Sequence, residues 1–124
     1  MYARLRGLEA YETEEFLSHF QDQTVQWDTL LVAHVLEHMG RDEGLALVQS
    51  YLPYLREEAR LVLICPQEWA YRRDATHVRW VDNSDLSELA TQVGFGVRRA
   101  LSFPWPRWAG AWAPYGEFIV VADR

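Results

Sequence analysis

The sequence predicts an α/β protein in which a largely parallel sheet is covered by helices. Residues Thr29-Leu30-Leu31-Val32-Ala33 and Leu61-Val62-Leu63-Ile64-Cys65 are short runs without a charge, the pattern of strands buried on both faces. Between them Leu45, Val48, Leu52 and Leu55 recur at spacings of three and four, the stripe of an amphipathic helix. Strands of this kind belong to parallel sheets covered by helices.

Residues 2–6 can form a helix stopped by Gly7. Residues 8–11 make a short strand of weak signal. Thr13 is expected to cap a helix from Glu14, with acids facing the positive helix end and Phe16, Leu17 and Phe20 as its apolar side. Residues 21–26 read as a polar loop. Beyond the strand at 29–33, residues 35–39 fit a helical turn before Gly40, and Asp42 is expected to cap the helix that carries the stripe. Pro53 removes a backbone donor within that stripe and should kink the helix or start a new turn. Glu57 and Glu58 oppose the negative helix end, whereas Arg56 suits it. The strand at 61–65 stops at Pro66. Residues 67–83 form a long connection rich in Trp, Tyr and Arg, a length typical of functional or mobile loops. Asp85-Leu86-Ser87-Glu88 reads as an acidic capping box opening a helix to Val93, which Gly94 ends with Phe95 as the hydrophobic follow-on. Residues 96–103 are a third strong strand. Pro104-Trp105-Pro106-Arg107-Trp108 is a rigid aromatic loop continued by Trp112, Pro114 and Tyr115, and residues 117–122 are the last strand. Only a loop joins the last two strands, so they need not be parallel. No linker divides the chain, so residues 1–124 are read as one domain.

The 124 residues suffice for a modest domain, and 49% hydrophobic against 24% charged residues is a globular composition. A net charge of -6 argues against general nucleic-acid binding, which needs a basic face. No apolar run approaches the ~18 residues of a membrane span. The single cysteine, Cys65, excludes an internal disulfide framework and fits a reducing compartment. The opening residues show no long apolar core, so no signal peptide is visible and a cytoplasmic location is expected. All 12 basic residues are Arg, for which base composition of the source genome is the simpler account.

Ligands in open α/β sheets sit outside the carboxyl ends of the strands, so chemistry is sought between Ala33 and His38. There His34-Val35-Leu36-Glu37-His38 spells H-x-x-E-H, the inverted zinc-peptidase signature. In that reading His34 and His38 ligate zinc and Glu37 is the general base. It requires the motif inside one helix and a third ligand elsewhere, yet here the motif directly follows a buried strand. Trp69, Tyr71, Trp80, Trp105, Trp108 and Trp112 can wall an apolar pocket or cover the end of the sheet. Arg72 and Arg73 read as a solvated pair, Cys65 as a core residue, and Asp28 and Glu117 as polar boundaries of strands.

In order and spacing the chain resembles the C-terminal half of class I S-adenosylmethionine-dependent methyltransferases. The resemblance runs through Trp27-Asp28, Val35-Leu36-Glu37-His38, Tyr54-Leu55-Arg56, Arg60-Leu61-Val62-Leu63 and Cys65-Pro66. It continues through Thr76-His77-Val78-Arg79-Trp80, Asp85-Leu86, Gly94-Phe95, Ser102-Phe103-Pro104 and Glu117-Phe118-Ile119-Val120-Val121. It implies an incomplete Rossmann-like methyltransferase sheet, strands three to seven of the family, with flanking helices. Residues 8–11 would be the third strand and 29–33 the fourth. Residues 61–65 would be the fifth strand, paired beside the antiparallel seventh at 118–122, and 97–103 the sixth.

The resemblance further implies S-adenosyl-L-methionine as cofactor and a small-molecule methyl acceptor. Glu12 and Thr13 would approach the adenine, and Ala33, His34 and Val35 would rim the methionine part. Methyl transfer needs positioning and sometimes a base, for which His38 or His77 would serve. The plainer readings are that His38 fixes its turn and His77 ties down the long loop. The chain departs from the family in lacking the glycine-rich turn after the first strand and the acid closing the second, which hold the cofactor. Glu57-Glu58 also stands where the family often has a Pro-Gly-Gly turn. Without the first strand, Leu30, Leu31 and Val32 would lie on an open sheet edge. A homo-oligomer or a separate complementing N-terminal half is therefore expected. The same departure allows another class of function, a non-catalytic remnant or interaction module.

Overall fold

The computed structural model describes residues 2–23, 26–110, 112–113 and 115–124, the side chains of Tyr2 and Trp69 excepted. Four strands form one mixed sheet in the order β1-β2-β4-β3, with β1 at Trp27–Ala33, β2 at Leu55–Pro66, β3 at Gly96–Phe103 and β4 at Glu117–Asp123. The helices are α1 (Tyr2–Leu5), α2 (Thr13–Phe20), α3 (Arg41–Tyr51), α4 (Glu68–Arg72), α5 (Asn83–Gln92) and α6 (Arg107–Gly110). β1 runs parallel to β2, and β4 lies antiparallel to both β2 and β3. The strand at 61–65 thus pairs beside the antiparallel last strand, as expected.

One face of the sheet makes the core. Val32, Leu61, Leu63, Cys65, Phe118, Val120 and Ala122 point into it and meet Val48 of α3 and Leu86, Leu89 and Ala90 of α5. Alternation then sends their neighbours to the opposite face. There Leu31 pairs with Val62, Val62 with Val121, Ile64 with Ile119, and Ile119 with Leu101. These six side chains are half-buried or exposed. At the start of β1, Trp27 meets Phe16 and Phe20 of α2 and Tyr54, an aromatic cluster that fastens α2 to the sheet.

Several local expectations need correction. Residues 8–11 are not a strand: Leu8 is exposed, and its N–H donates to the Ala3 carbonyl at 3.2 Å instead of to a neighbouring strand. Glu12 rather than Thr13 caps α2, in a reciprocal box with Glu15. Gly40 rather than Asp42 precedes α3, leaving Asp42 in its first turn. Helix α3 stops at Tyr51, Pro53 sits in a short 3-10 turn at Leu52–Tyr54, and Arg56, Glu57 and Glu58 lie within β2. The capping box of α5 begins at Asp82, which accepts from Ser84 and Asp85, with Asp85 as its reciprocal member. The connection at 67–83 contains α4, and the aromatic loop contains α6. Gly94 ends α5 with a φ of 90°, a left-handed conformation that glycine adopts without strain, and Phe95 behind it is buried. Part of the loop at 21–26, Pro114 and the Trp69 side chain lie outside the described residues. No helix among the described residues is long and apolar enough to cross a membrane.

Candidate functional site

The carboxyl end of β1 carries a dense polar cluster. His34, the first residue past the strand, has a φ of 55°, an uncommon conformation for a residue with a side chain. Two bonds hold it there. Its N–H donates to the Ile64 carbonyl at 2.9 Å, and its Nε2 lies 2.6 Å from Glu117 Oε1. A carboxylate only accepts, so Nε2 carries the proton. Glu117 Oε1 also accepts from the Tyr115 hydroxyl at 2.7 Å. Glu117 is thus a structural partner of His34 rather than a simple strand boundary.

The turn Leu36–His38 follows as a single 3-10 segment. The H-x-x-E-H motif therefore spans a strand end, a left-handed residue and a short turn, and does not meet the one-helix requirement of the zinc-peptidase reading. The turn drives Glu37 inward until its side chain is 1% exposed. Its carbonyl accepts from the backbone N–H groups of Val78 and Arg79 at 2.9 and 3.2 Å. This docks the long connection and brings His77 beside His38, with ring centroids 4.7 Å apart. His34, His38 and His77 all face Glu37 Oε1, at 3.6, 3.9 and 3.8 Å. That oxygen has no hydrogen-bond partner, whereas Oε2 lies 3.5 Å from the Cys65 thiol.

The structure thus brings together His34, His38 and His77 but keeps Glu12 and Thr13 apart from them. Thr13 and Val35 share an apolar hollow of about 390 Å³ with Leu30 and Val48. Glu12 lines a separate hollow of about 230 Å³ with Arg4. Ala33 ends β1 opposite Ile64. The two ionisable members of the expected cofactor set are engaged within the chain, Glu12 in a helix cap and His34 with Glu117. By themselves these five residues do not fit the whole of S-adenosylmethionine. Sequence reasoning considered Glu37 only as a hydrolytic base and missed its place as the hub of three histidines. It also missed Thr76 and Asp74, which orient His38.

Among the described side chains, the aromatic residues fall into two settings. Trp80 packs edge-on against Phe118 at 5.6 Å and against Tyr71 at 5.3 Å, and Tyr71 stacks on His77 at 4.9 Å. Trp105, Trp108 and Trp112 are exposed. Arg72 and Arg73 close α4 at the surface.

Cys65 is buried in the core, as expected. Burial raises its thiol pKa well above the ordinary range, and the Glu37 carboxylate raises it further. The folded chain therefore keeps the thiol protonated where the unfolded chain ionises, near pH ~8.5. Its contribution to stability is full below that pH and falls as pH rises beyond it. Alkylation by iodoacetamide at pH 8 is expected to be roughly a hundredfold slower in the native protein than in urea, because the thiolate is the nucleophile. Equal rates would contradict the buried thiol.

No family model matches the chain, and no curated protein matches it. Solved structures do. An S-adenosylmethionine-dependent methyltransferase from Archaeoglobus fulgidus superposes with a TM-score of 0.60 at 11% identity, over 99% of this chain and 79% of its own. The 1,6-didemethyltoxoflavin-N1-methyltransferase of Burkholderia thailandensis, with that compound and S-adenosylhomocysteine bound, gives 0.61 at 15% identity, over 92% of this chain and 58% of its own. The magnesium protoporphyrin IX methyltransferase of Synechocystis PCC 6803, with S-adenosylmethionine bound, gives 0.55 at 19% identity, over 83% and 41%. The chain spans about half the length of these last two. It has a class I S-adenosylmethionine-dependent methyltransferase-like fold, of which its four strands and flanking helices are one part.

Proposed function

We propose that this chain is the C-terminal portion of an S-adenosylmethionine-dependent methyltransferase acting on a small-molecule acceptor, and that a second copy or a complementing N-terminal half covers its open sheet edge. The observation that carries the reading is the histidine cluster at the carboxyl end of β1, where sheets of this fold bind their ligands. His38 is 34% exposed on its side chain, so its imidazole is reachable from solvent. In this reading His38 faces the acceptor and can take its proton with His77, 7% exposed on its side chain, behind it, while Ala33, His34 and Val35 border the methyl donor and Glu12 and Thr13 stand toward its adenine. The open sheet face and the edge of β1 support a second chain, either another copy or a complementing one. The other reading is a non-catalytic interaction module, favoured by the engagement of Glu12 and His34 within the chain.

The two readings separate on the assembly isolated from its native cells. It is expected to bind S-adenosylhomocysteine in calorimetry and to pass a tritiated methyl group to a small molecule. His38→Ala should lower kcat roughly 10²-fold, the scale of a lost general base, with S-adenosylhomocysteine affinity unchanged. No binding by either the assembly or the chain alone would overturn the enzyme reading and leave the interaction module.

A further inference from the structure

We propose that Glu37, His38 and His77 hold a divalent transition-metal ion, with zinc the best match to the donor set. The inference goes beyond the methyltransferase reading and, where the ion is bound, replaces the proton-accepting roles of His38 and His77 in it. It rests on where the protons must be.

His77 Nδ1 lies 2.7 Å from the Tyr71 carbonyl oxygen. A carbonyl only accepts, so Nδ1 carries the proton and Nε2 of the neutral ring is a lone pair. His38 Nδ1 lies 3.0 Å from Thr76 Oγ1 and 3.2 Å from the Thr76 carbonyl. The Thr76 hydroxyl donates its single proton to Asp74 Oδ1 at 2.6 Å, so it too accepts from His38. Both rings therefore turn an acceptor Nε2 toward Glu37 Oε1, at 3.9 and 3.8 Å. That oxygen is itself an acceptor, buried and without a hydrogen-bond partner. His34 adds a fourth: its Nε2 donates to Glu117, so the Nδ1 lying 3.6 Å from the same oxygen is a lone pair.

Acceptors converging without a donor repel one another, and a buried carboxylate oxygen left unmatched is costly. A proton on one Nε2 would place an imidazolium within ion-pair distance of Glu37 Oε1, but it leaves the other ring's Nε2 an acceptor facing the same oxygen. A bridging water has two protons to offer the four acceptors. A cation at the centre satisfies the trio directly.

The ligand atoms of Glu37, His38 and His77 lie within 4.8 Å of one another. Tetrahedral zinc with bonds of ~2.0–2.1 Å sets its ligands about 3.3 Å apart, so each side chain need move by less than ~1 Å. The Nδ1 bonds of both rings to backbone carbonyls match the outer support usual for metal-bound histidine. Two imidazoles and a carboxylate suit zinc and its first-row neighbours better than magnesium or calcium. Three protein ligands leave a position open for a water or an oxygen-bearing ligand. With the ion bound, His38 and His77 would be ligands rather than proton acceptors.

The test is a titration of the full chain, stripped with chelator, using Co²⁺ and then Zn²⁺. The expected result is one Co²⁺ per chain with visible absorption bands, displaced by one equivalent of Zn²⁺, and a raised Tm on loading. His38→Ala and His77→Ala should each weaken binding more than tenfold. Glu37→Gln keeps the side-chain volume and gives the cluster an N–H donor. It should leave the Tm of the metal-free protein no lower than wild type while abolishing the response to metal. Absence of binding by the wild-type chain at millimolar metal would overturn the proposal. So would binding that persists unchanged in all three variants.

Discussion

Phe118→Ala is expected to remove about 3–5 kcal/mol of stability, the range for truncating a buried aromatic ring. The ring is 1% exposed and sits in β4 between Cys65 of β2 and Ser102 of β3. Trp80 packs edge-on against it, and the Arg107 guanidinium lies 5.1 Å from its centroid. It is therefore where the sheet, the long connection and α6 meet. Urea unfolding should show a lower midpoint with little change in slope, since nearly the same surface is exposed on unfolding. Because Trp80 also touches Tyr71, which stacks on His77, the loss should loosen the histidine cluster. Phe118→Leu leaves a smaller void and should cost less. Trp108→Ala, at an exposed indole, should stay within about ±0.5 kcal/mol. Equal losses at Phe118 and Trp108 would contradict this account of the core.

The strand at residues 61–65 was legible because Val62 and Ile64, on the face opposite the buried Leu61, Leu63 and Cys65, are apolar as well, which leaves an uninterrupted run. The start of β2 was not. Arg56, Glu57 and Glu58 are exposed there, so local composition resembled a helix end rather than a strand. Helix caps were misplaced by one to three residues because Glu12, Gly40 and Asp82 compete with equally good capping residues close by, and the choice depends on how the chain enters the helix. Residues 8–11 gave only a weak strand signal and have no strand to pair with, and pairing is a tertiary fact. At the site, the sequence pointed to His34, His38 and His77 by type and position. It could not show that one buried oxygen of Glu37 faces all three, since that depends on the left-handed turn at His34 and the docking of residues 78–79 on the Glu37 carbonyl. H-x-x-E-H carries a helical meaning only if its residues are helical.

Replacing Leu31 by Lys and Leu101 by Glu in one chain is expected to abolish self-association or partner binding through the open sheet face. Leu31 is 60% and Leu101 43% exposed, at opposite edges of a face whose middle holds Val62, Ile64, Ile119 and Val121. Full burial of such a side chain is worth about 1.5–3 kcal/mol, and a two-fold symmetric contact counts each position twice. Removing even one such pair corresponds to roughly a hundredfold or more in Kd. A lysine on β1 also blocks strand addition along its unpaired edge. The substitutions sit outside the core, so circular dichroism should be unchanged. Sedimentation should show a dimer or larger species for wild type at micromolar concentrations and a monomer for the variant. If purified wild-type chain is already a monodisperse monomer and captures no partner from its native cells, then the row of exposed Leu31 and half-buried Val62 and Val121 is not an interface, and the argument for a completing chain fails with it.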